Sequence, residues 1–173
     1  MPLSIRPATP ADIPAITRIY AEAVSNGTAS FELTAPDEAE MARRMTALLD
    51  KGLPYFVAEL GGVLDGYAYA GLYHGRPGYR FTLEDSVYIA PDMHRRGIGR
   101  ALLAALIETA EGRGFRQMVA IIGDSEHTAS IALHAALGFQ HVGTLKNVGF
   151  KFGRWLDSVL MQRALGKGAT TNP

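Results

Sequence analysis

The chain has 173 residues, 47% of them hydrophobic and 20% charged, which is typical of a single globular domain with a sizeable core. Seventeen basic residues balance seventeen acidic ones, so the net charge indicates neither a nucleic acid nor an anionic membrane as a partner. The chain has no cysteine, which excludes disulfides, thiolate-bound zinc and an acyl group carried on a protein thiol.

Signals for export and for metal binding are missing from the sequence. The first six residues lack the basic and apolar regions of a secretory signal, and no apolar run approaches the roughly 18 residues of a membrane-spanning helix. We therefore expect a cytoplasmic location. The five histidines form no HExxH motif or similar ligand set, so we predict no metal site.

The first fifty residues are predicted to form one strand and two helices. A short strand from Leu3 to Arg6 precedes a helix that ends before Asn26. A second helix begins after Thr34, with Asp37 and Glu38 in its first turn. The apolar residues of the first helix recur at helical spacing: Ile13, Ile16, Ile19, Tyr20 and Val24.

The middle of the chain changes to the alternation of β-strands. Tyr55–Leu60 and a second run through Tyr73 flank Gly61-Gly62, which predicts an antiparallel hairpin. Tyr79–Ile89 is predicted as a long strand and Gly97–Glu111 as the helix that follows it.

The last third is predicted to contain a strand, a short helix and two final strands, over Gln117–Ile122, His127–Leu137, Phe139–Leu145 and Trp155–Leu165. This order of elements indicates an α+β fold without repeats. We expect one domain over residues 1–165 and a flexible tail over 166–173.

A basic cluster lies where the long strand gives way to the following helix. Arg95, Arg96 and Arg100 crowd a helix N-terminus, whose free N–H groups already carry partial positive charge. Gly97 and Gly99 let the backbone turn tightly and approach a ligand. These features predict a phosphate cradle, with a solvated basic turn as the alternative.

The same segment differs from the two common nucleotide motifs. No GxxxxGK[ST] occurs, and Leu102 stands where GxGxxG requires its third glycine. Instead, Val87-Tyr88-Ile89 followed by Arg95–Leu102 resembles the central (Arg/Gln)-x-x-Gly-x-(Gly/Ala) motif of the GCN5-related N-acetyltransferases, the GNAT family. The stretch Ser130–Phe139 is similar to the second CoA-contacting motif of that family.

The resemblance implies a fold, a co-substrate and a set of residues that bind it. The fold would be a three-layer α/β/α arrangement, with a mixed, mostly antiparallel sheet of about seven strands and about four flanking helices. The co-substrate would be acetyl-CoA, whose pyrophosphate lies on the motif's backbone amides. The implied contacts are Val87, Tyr88, Ile89, Arg95, Arg96, Gly97, Ile98, Gly99, Arg100, His127 and Ser130, with His127 where relatives usually have Asn.

Within the family, the chain most resembles the phosphinothricin and methionine sulfoximine acetyltransferases. The matching blocks are Thr28–Glu32, Arg80–Tyr88, Leu133-His134 and Gly149–Asp157, so the resemblance covers almost the whole chain. It implies that the substrate is the α-amine of a small amino acid or analogue and that the protein is a homodimer. The implied substrate contacts are Phe31, His74, Arg76, Arg80, Glu84, Asp85 and Ser86.

Two residues are candidates for proton transfer. Glu84 matches the glutamate proposed as general base in this group, and its alternative role is an ion pair with Arg80 or Arg76. His134 stands where many relatives have a tyrosine that protonates CoA, and its alternative role is a packed structural histidine. We expect direct transfer in a ternary complex. The competing functions are acetylation of a protein N-terminus or lysine, and a non-catalytic acyl-CoA sensor.

Overall fold

The computed structural model describes residues 2–173, which form a seven-stranded sheet flanked by four α-helices. The strands are β1 Leu3–Pro7, β2 Tyr55–Leu60, β3 Val63–Leu72, β4 Thr82–Ile89, β5 Gln117–Gly123, β6 Gln140–Lys151 and β7 Arg154–Ala164. The helices are α1 Ile13–Asn26, α2 Glu38–Leu49, α3 Ile98–Gly112 and α4 Thr128–Ala136.

The sheet has the order β1-β2-β3-β4-β5-β7-β6. Neighbouring strands are antiparallel except β4 and β5, which are parallel and are joined through α3. The β4–β5 ladder runs only from the Thr82–Gln117 pair to the Asp85–Ala120 pair. The second half of β4 therefore leaves its backbone groups open on the side of β5.

Each face of the sheet has its own core. On one face, α3 packs Leu102, Leu103 and Leu106 against the sheet, and α4 lies beside β5 and β6. On the other face, α1 and α2 cover β2 to β4 with Ile16 and Met45 among the fully buried side chains. A cluster of tyrosine rings lies between these helices and the sheet, formed by Tyr20, Tyr55, Tyr67, Tyr69 and Tyr88. The predicted three-layer α+β fold is confirmed.

Several predicted element boundaries were wrong. The strand expected from Tyr79 begins at Thr82, because Pro77–Tyr79 closes a turn of 3-10 helix with Arg80 donating its N–H to the Pro77 carbonyl. Asp37 lies outside the second helix as its N-cap, where its Oδ1 accepts a hydrogen bond from the Glu40 N–H at 2.9 Å.

The last hairpin also differs from its prediction. β6 continues to Lys151 instead of ending at Leu145, and its register with β7 shifts between Leu145 and Gly149. Beyond β7, Leu165 is fully buried and the Arg116 side chain donates hydrogen bonds to Gly168 and Thr171. The domain boundary at 165 and the flexibility of the tail stay predictions. None of the helices in residues 2–173 combines the length and the apolar character needed to cross a membrane.

Candidate active site

A cleft of about 810 Å³ opens between the second half of β4, the start of α3 and one side of α4. Its opposite wall is the C-terminal half of α1 with the Gly27–Ala29 segment. Ten of the eleven residues predicted to bind the cofactor line this cleft, namely Val87, Tyr88, Ile89, Arg95, Gly97, Ile98, Gly99, Arg100, His127 and Ser130. The volume is within the range of small-molecule and cofactor sites.

The N-terminus of α3 is one end of the cleft. Gly97 is the N-cap and has φ 79°, a left-handed conformation that costs a residue with a Cβ about 1 to 2 kcal/mol. Arg95 adopts φ 63° just before it. No side chain of the described residues caps the helix, and its first intrahelical bond joins the Ala101 N–H to the Gly97 carbonyl. The preceding N–H groups therefore remain available for an anion.

The eleventh residue, Arg96, does not line this cleft. It lines a separate hollow on the other side of the turn, together with Leu60, Val63, Asp65 and Met93. Successive residues of a tight turn point in different directions, so a run of arginines does not place all of them on one ligand. His94 lies in the cleft instead, although the sequence analysis did not select it.

A cavity of about 60 Å³ adjoins the cleft where β4 and β5 diverge. Asp85, Ser86 and His134 line it, and it shares Val87 and Ser130 with the larger cleft. Both His134 ring nitrogens have partners: Nε2 lies 2.8 Å from Asp85 Oδ2 and Nδ1 lies 2.7 Å from the Ser130 carbonyl oxygen.

The charge state of His134 depends on these partners. Burial lowers its pKa, but the hydrogen bond and charge of Asp85 and the Ser130 carbonyl outweigh burial, so the pKa is raised above the ordinary value. Asp85 was expected to contact the substrate, and the structure places its carboxylate against the histidine ring.

Glu84 lies on the opposite face of β4 from Asp85, because side chains alternate along a strand. It is half-buried, and burial followed by the charge of Asp85 raises its pKa above the usual range of a glutamate. No ion pair joins it to Arg76, Arg80 or any other residue in 2–173. Glu84 lies about 10 Å along the strand from Val87, where the cleft begins.

Phe31 lies across the ends of β5 and β6. A Cβ added to Gly149 would lie 2.5 Å from the Phe31 ring, and one added to Gly123 would lie 2.9 Å from it. The two glycines therefore make room for the ring. Beside it, the buried Lys151 donates a hydrogen bond from Nζ to the Ser30 carbonyl at 2.8 Å.

The three remaining predicted substrate residues are not near the cleft. His74, Arg76 and Arg80 are exposed in the loop between β3 and β4, at the opposite end of β4 from the α3 N-terminus. Arg80 lies over the Phe81 ring at 4.5 Å and donates to the Pro77 carbonyl. The structure thus connects Glu84, Asp85 and Ser86 to the cleft through β4, whereas the loop residues lie outside the cleft at the other end of this strand.

One wall of the cleft was not found by sequence reasoning. Asp124 follows β5 with φ 72°, lines the cleft, and accepts hydrogen bonds from Thr28 Oγ1 at 2.8 Å and Arg154 at 2.7 Å. These three residues come from distant segments, so no local pattern could have indicated them. Among the residues described, no group of three or more His, Cys, Asp or Glu is arranged to hold a metal ion.

Comparisons with known proteins agree with this geometry. The model of the acetyltransferase (GNAT) domain matches residues 5–160. The chain is 60% identical over 162 residues to phosphinothricin N-acetyltransferase of Alcaligenes faecalis, covering 94% of this chain and 82% of that protein. It is 44% identical over 163 residues to L-methionine sulfoximine/L-methionine sulfone acetyltransferase of Pseudomonas paraeruginosa, covering 94% of both.

A solved structure gives the same result at the level of the fold. The phosphinothricin acetyltransferase of Sinorhizobium meliloti, in complex with acetyl-CoA, superposes with a TM-score of 0.97 at 49% identity, covering 100% of this chain and 94% of that one. The predicted enzyme class and the predicted co-substrate, acetyl-CoA, are confirmed. This chain belongs to the GNAT family of acetyl-CoA-dependent N-acetyltransferases.

Proposed function

We propose that the protein transfers the acetyl group of acetyl-CoA to the α-amine of a small amino acid or analogue of the phosphinothricin or methionine sulfoximine type. The observation that carries this proposal is the continuity of β4, which leads from the cleft at the α3 N-terminus to the half-buried carboxylate of Glu84. The names of the two similar enzymes support this class of amine.

The cleft would hold the co-substrate mainly through backbone groups. The free N–H groups at the start of α3 are suited to a pyrophosphate, and Arg95 and Arg100 line the same end of the cleft. Farther in, the backbone of Val87 to Ile89 has no ladder with β5 and is open to hydrogen-bond the pantetheine arm. Acetyl-CoA supplies the acetyl group as an activated thioester.

Glu84 would accept the proton that the amine loses. An α-amine loses its proton more readily than a lysine side chain, so a base of modest strength suffices. The raised pKa of Glu84 brings this carboxylate closer to the amine in proton affinity. Because Glu84 and the cleft lie along one strand, the amine would have to enter from the side of the β3–β4 loop, where His74, Arg76 and Arg80 could contact its acidic groups.

His134 would supply the proton to CoA as it leaves. The ring lies at the small cavity that joins the cleft, next to Val87 and Ser130. The transfer would be direct, which fits the absence of a cysteine thiol that could carry the acetyl group. Phe31 would close the amine side, where Gly123 and Gly149 seat its ring.

The decisive experiment measures CoA release from acetyl-CoA with a panel of amines. We expect turnover with phosphinothricin, methionine sulfoximine or methionine sulfone, and none with peptides that carry a free N-terminus or a lysine. Initial rates at varied concentrations of both substrates should give intersecting lines, as a ternary complex requires. Turnover on peptides alone would establish the protein-acetylating alternative, and acetyl-CoA binding without turnover on any amine would establish the sensor.

We also propose that the protein is a homodimer through its edge strand. β6 ends the sheet, and apolar side chains on the β6–β7 hairpin are more than half exposed: Val142, Leu145, Val148, Phe150, Phe152 and Trp155. An exposed edge with such a patch is a docking surface in soluble proteins. Light scattering should give twice the chain mass, and the double variant Val142→Glu/Leu145→Glu should give a monomer. A cytoplasmic location stays a prediction from the sequence.

A further inference from the structure

A buried carboxylate and a buried histidine meet at the point where β4 and β5 diverge. The side chains of Asp85 and His134 are 2% and 4% exposed, and Asp85 Oδ2 lies 2.8 Å from Nε2 of the ring. Asp85 comes from β4 and His134 from the last turn of α4, so the contact joins two elements that are distant in the chain. Buried charged groups of this kind cost free energy unless they are paired.

The partners of the ring determine where its protons lie. The Ser130 carbonyl oxygen can only accept, so Nδ1 at 2.7 Å must carry a hydrogen. Nε2 faces a carboxylate, which when ionised also only accepts. With Asp85 ionised, His134 is therefore doubly protonated, and the pair is neutral as a whole.

Asp85 is the charged group that opposes the effect of burial on the ring, and the Ser130 carbonyl adds to it. The Phe139 ring, just before β6, packs edge-on to His134 with ring centroids 5.0 Å apart and brings no charge. His127, just before α4, and Tyr88 on β4 are the other titratable groups that line this cavity. A positive charge on His127 would repel a second positive charge on His134. Without Asp85, only the Ser130 carbonyl would oppose the effect of burial, so the pKa of His134 would be lower than in the wild type.

The pair also has access to the reaction site. The cavity lined by Asp85, Ser86 and His134 has about 60 Å³ of space, more than the roughly 10 to 15 Å³ that a water needs. It shares residues of β4 and α4 with the cleft proposed for the pantetheine arm. Asp85 Oδ1 is buried without a hydrogen-bond partner among the described residues, which leaves it free to accept one more hydrogen.

We propose that Asp85 is a positioning residue that keeps the His134 ring oriented and protonated beside the leaving sulfur, and that it does not bind the amine. This inference rests on the proposed acetyl transfer. In that step the amine nitrogen bonds to the acetyl carbon, the carbon–sulfur bond breaks with its electron pair staying on sulfur, and the sulfur takes the Nδ1 proton from the side of Ser130, which lines both the cavity and the cleft. The ring is then neutral, with its Nε2–H still donated to Asp85. Glu84 takes the amine proton, and solvent returns one proton from Glu84 to His134.

The first test starts from the wild-type protein. NMR of the wild-type protein with ¹³C-labelled histidine should show His134 titrating above the ordinary range of histidine. In Asp85→Asn the titration should shift to lower pH, because the amide keeps a hydrogen bond and removes the charge. Titration of wild-type His134 at or below the ordinary value overturns the proposal, whether or not the protein turns over any amine.

The kinetic test separates positioning from amine binding. Asp85→Asn should lower kcat by about 10- to 100-fold and move the alkaline limb of the kcat profile to lower pH, with the amine KM changed less than about twofold. Asp85→Ser is a smaller replacement that controls for any disturbance of packing by Asn, and it should give the same changes in kcat and in the pH profile. Asp65→Asn alters a buried aspartate on β3 away from His134 and should leave kcat unchanged. An unchanged kcat in both Asp85 variants, or a rise in amine KM alone, overturns the proposal.

Discussion

The two halves of the candidate site are built in different ways. The cofactor half is one continuous cleft, made mostly by the backbone of β4 and the N-terminus of α3, and its key residues are adjacent in the chain. The amine half combines Phe31, Glu84 and the β6–β7 hairpin with an exposed loop that lies outside the cleft. We therefore expect substitutions in each half to affect different kinetic constants, and four substitutions test this separation.

The largest effect is expected at Glu84, where the halves meet. Glu84→Gln preserves the shape of the side chain and removes the proton acceptor, so kcat should fall by about 10²- to 10³-fold. Calorimetry should find acetyl-CoA binding unchanged, because Glu84 does not line the cleft. A fall of less than about threefold would assign Glu84 a structural role.

The pH profile gives an independent check on the same residue. Glu84 must be ionised to accept a proton, and its pKa is raised by burial and by the charge of Asp85. Activity should therefore be lost as pH falls through this raised value, at a higher pH than for an ordinary glutamate. An acid limb at the pH of an exposed glutamate would contradict this account.

The second effect concerns the cofactor half alone. Gly97→Ala adds a Cβ at φ 79°, and the strain of about 1 to 2 kcal/mol favours another conformation of the turn. The Kd for acetyl-CoA should rise by about 10-fold, and the amine KM at saturating acetyl-CoA should not change. Gly78→Ala, at an exposed position with open space around it, is the matched control. Equal Kd values for acetyl-CoA in the two variants would contradict the role of the turn.

The contrast between the halves also explains what the sequence could predict. The end of the cleft at α3 could be predicted because Arg95 to Arg100 are contiguous in the chain, although the direction of Arg96 and the position of His94 in the cleft were missed. The cleft wall at Asp124 depends on Thr28 and Arg154, which become neighbours only through the fold. The contact between Asp85 and His134 was missed for the same reason: strand alternation separates Asp85 from Glu84, while the position of α4 decides what Asp85 meets.

The third effect concerns the amine half. In Gly149→Ala the new Cβ would lie 2.5 Å from the Phe31 ring, which must then move from the ends of β5 and β6. The amine KM should rise by about 5- to 10-fold, while the Kd for acetyl-CoA stays within about twofold. Gly143→Ala, on the same strand with open space around it, should change neither constant. A rise in the Kd for acetyl-CoA at Gly149→Ala would show that the halves are not separate.

The smallest effect tests a side-chain contact that joins the halves. Arg154 belongs to the β6–β7 hairpin and donates a hydrogen bond at 2.7 Å to Asp124, which lines the cofactor cleft. Arg154 is 47% exposed, so its removal should leave Asp124 held less firmly without releasing it. Asp124 also accepts a hydrogen bond from Thr28. Arg154→Ala should therefore raise the Kd for acetyl-CoA by about two- to threefold.

His141→Ala is the matched control, since His141 lies exposed in the same hairpin and its ring bonds to Thr144 instead of Asp124. It should leave the Kd for acetyl-CoA unchanged. If Arg154→Ala acts through Asp124, the double variant Thr28→Val/Arg154→Ala should weaken binding more than either single change, because Asp124 then loses both side-chain donors. An effect of Arg154→Ala on the amine KM alone would mean that the hairpin serves only the amine half and that the cofactor cleft is independent of it.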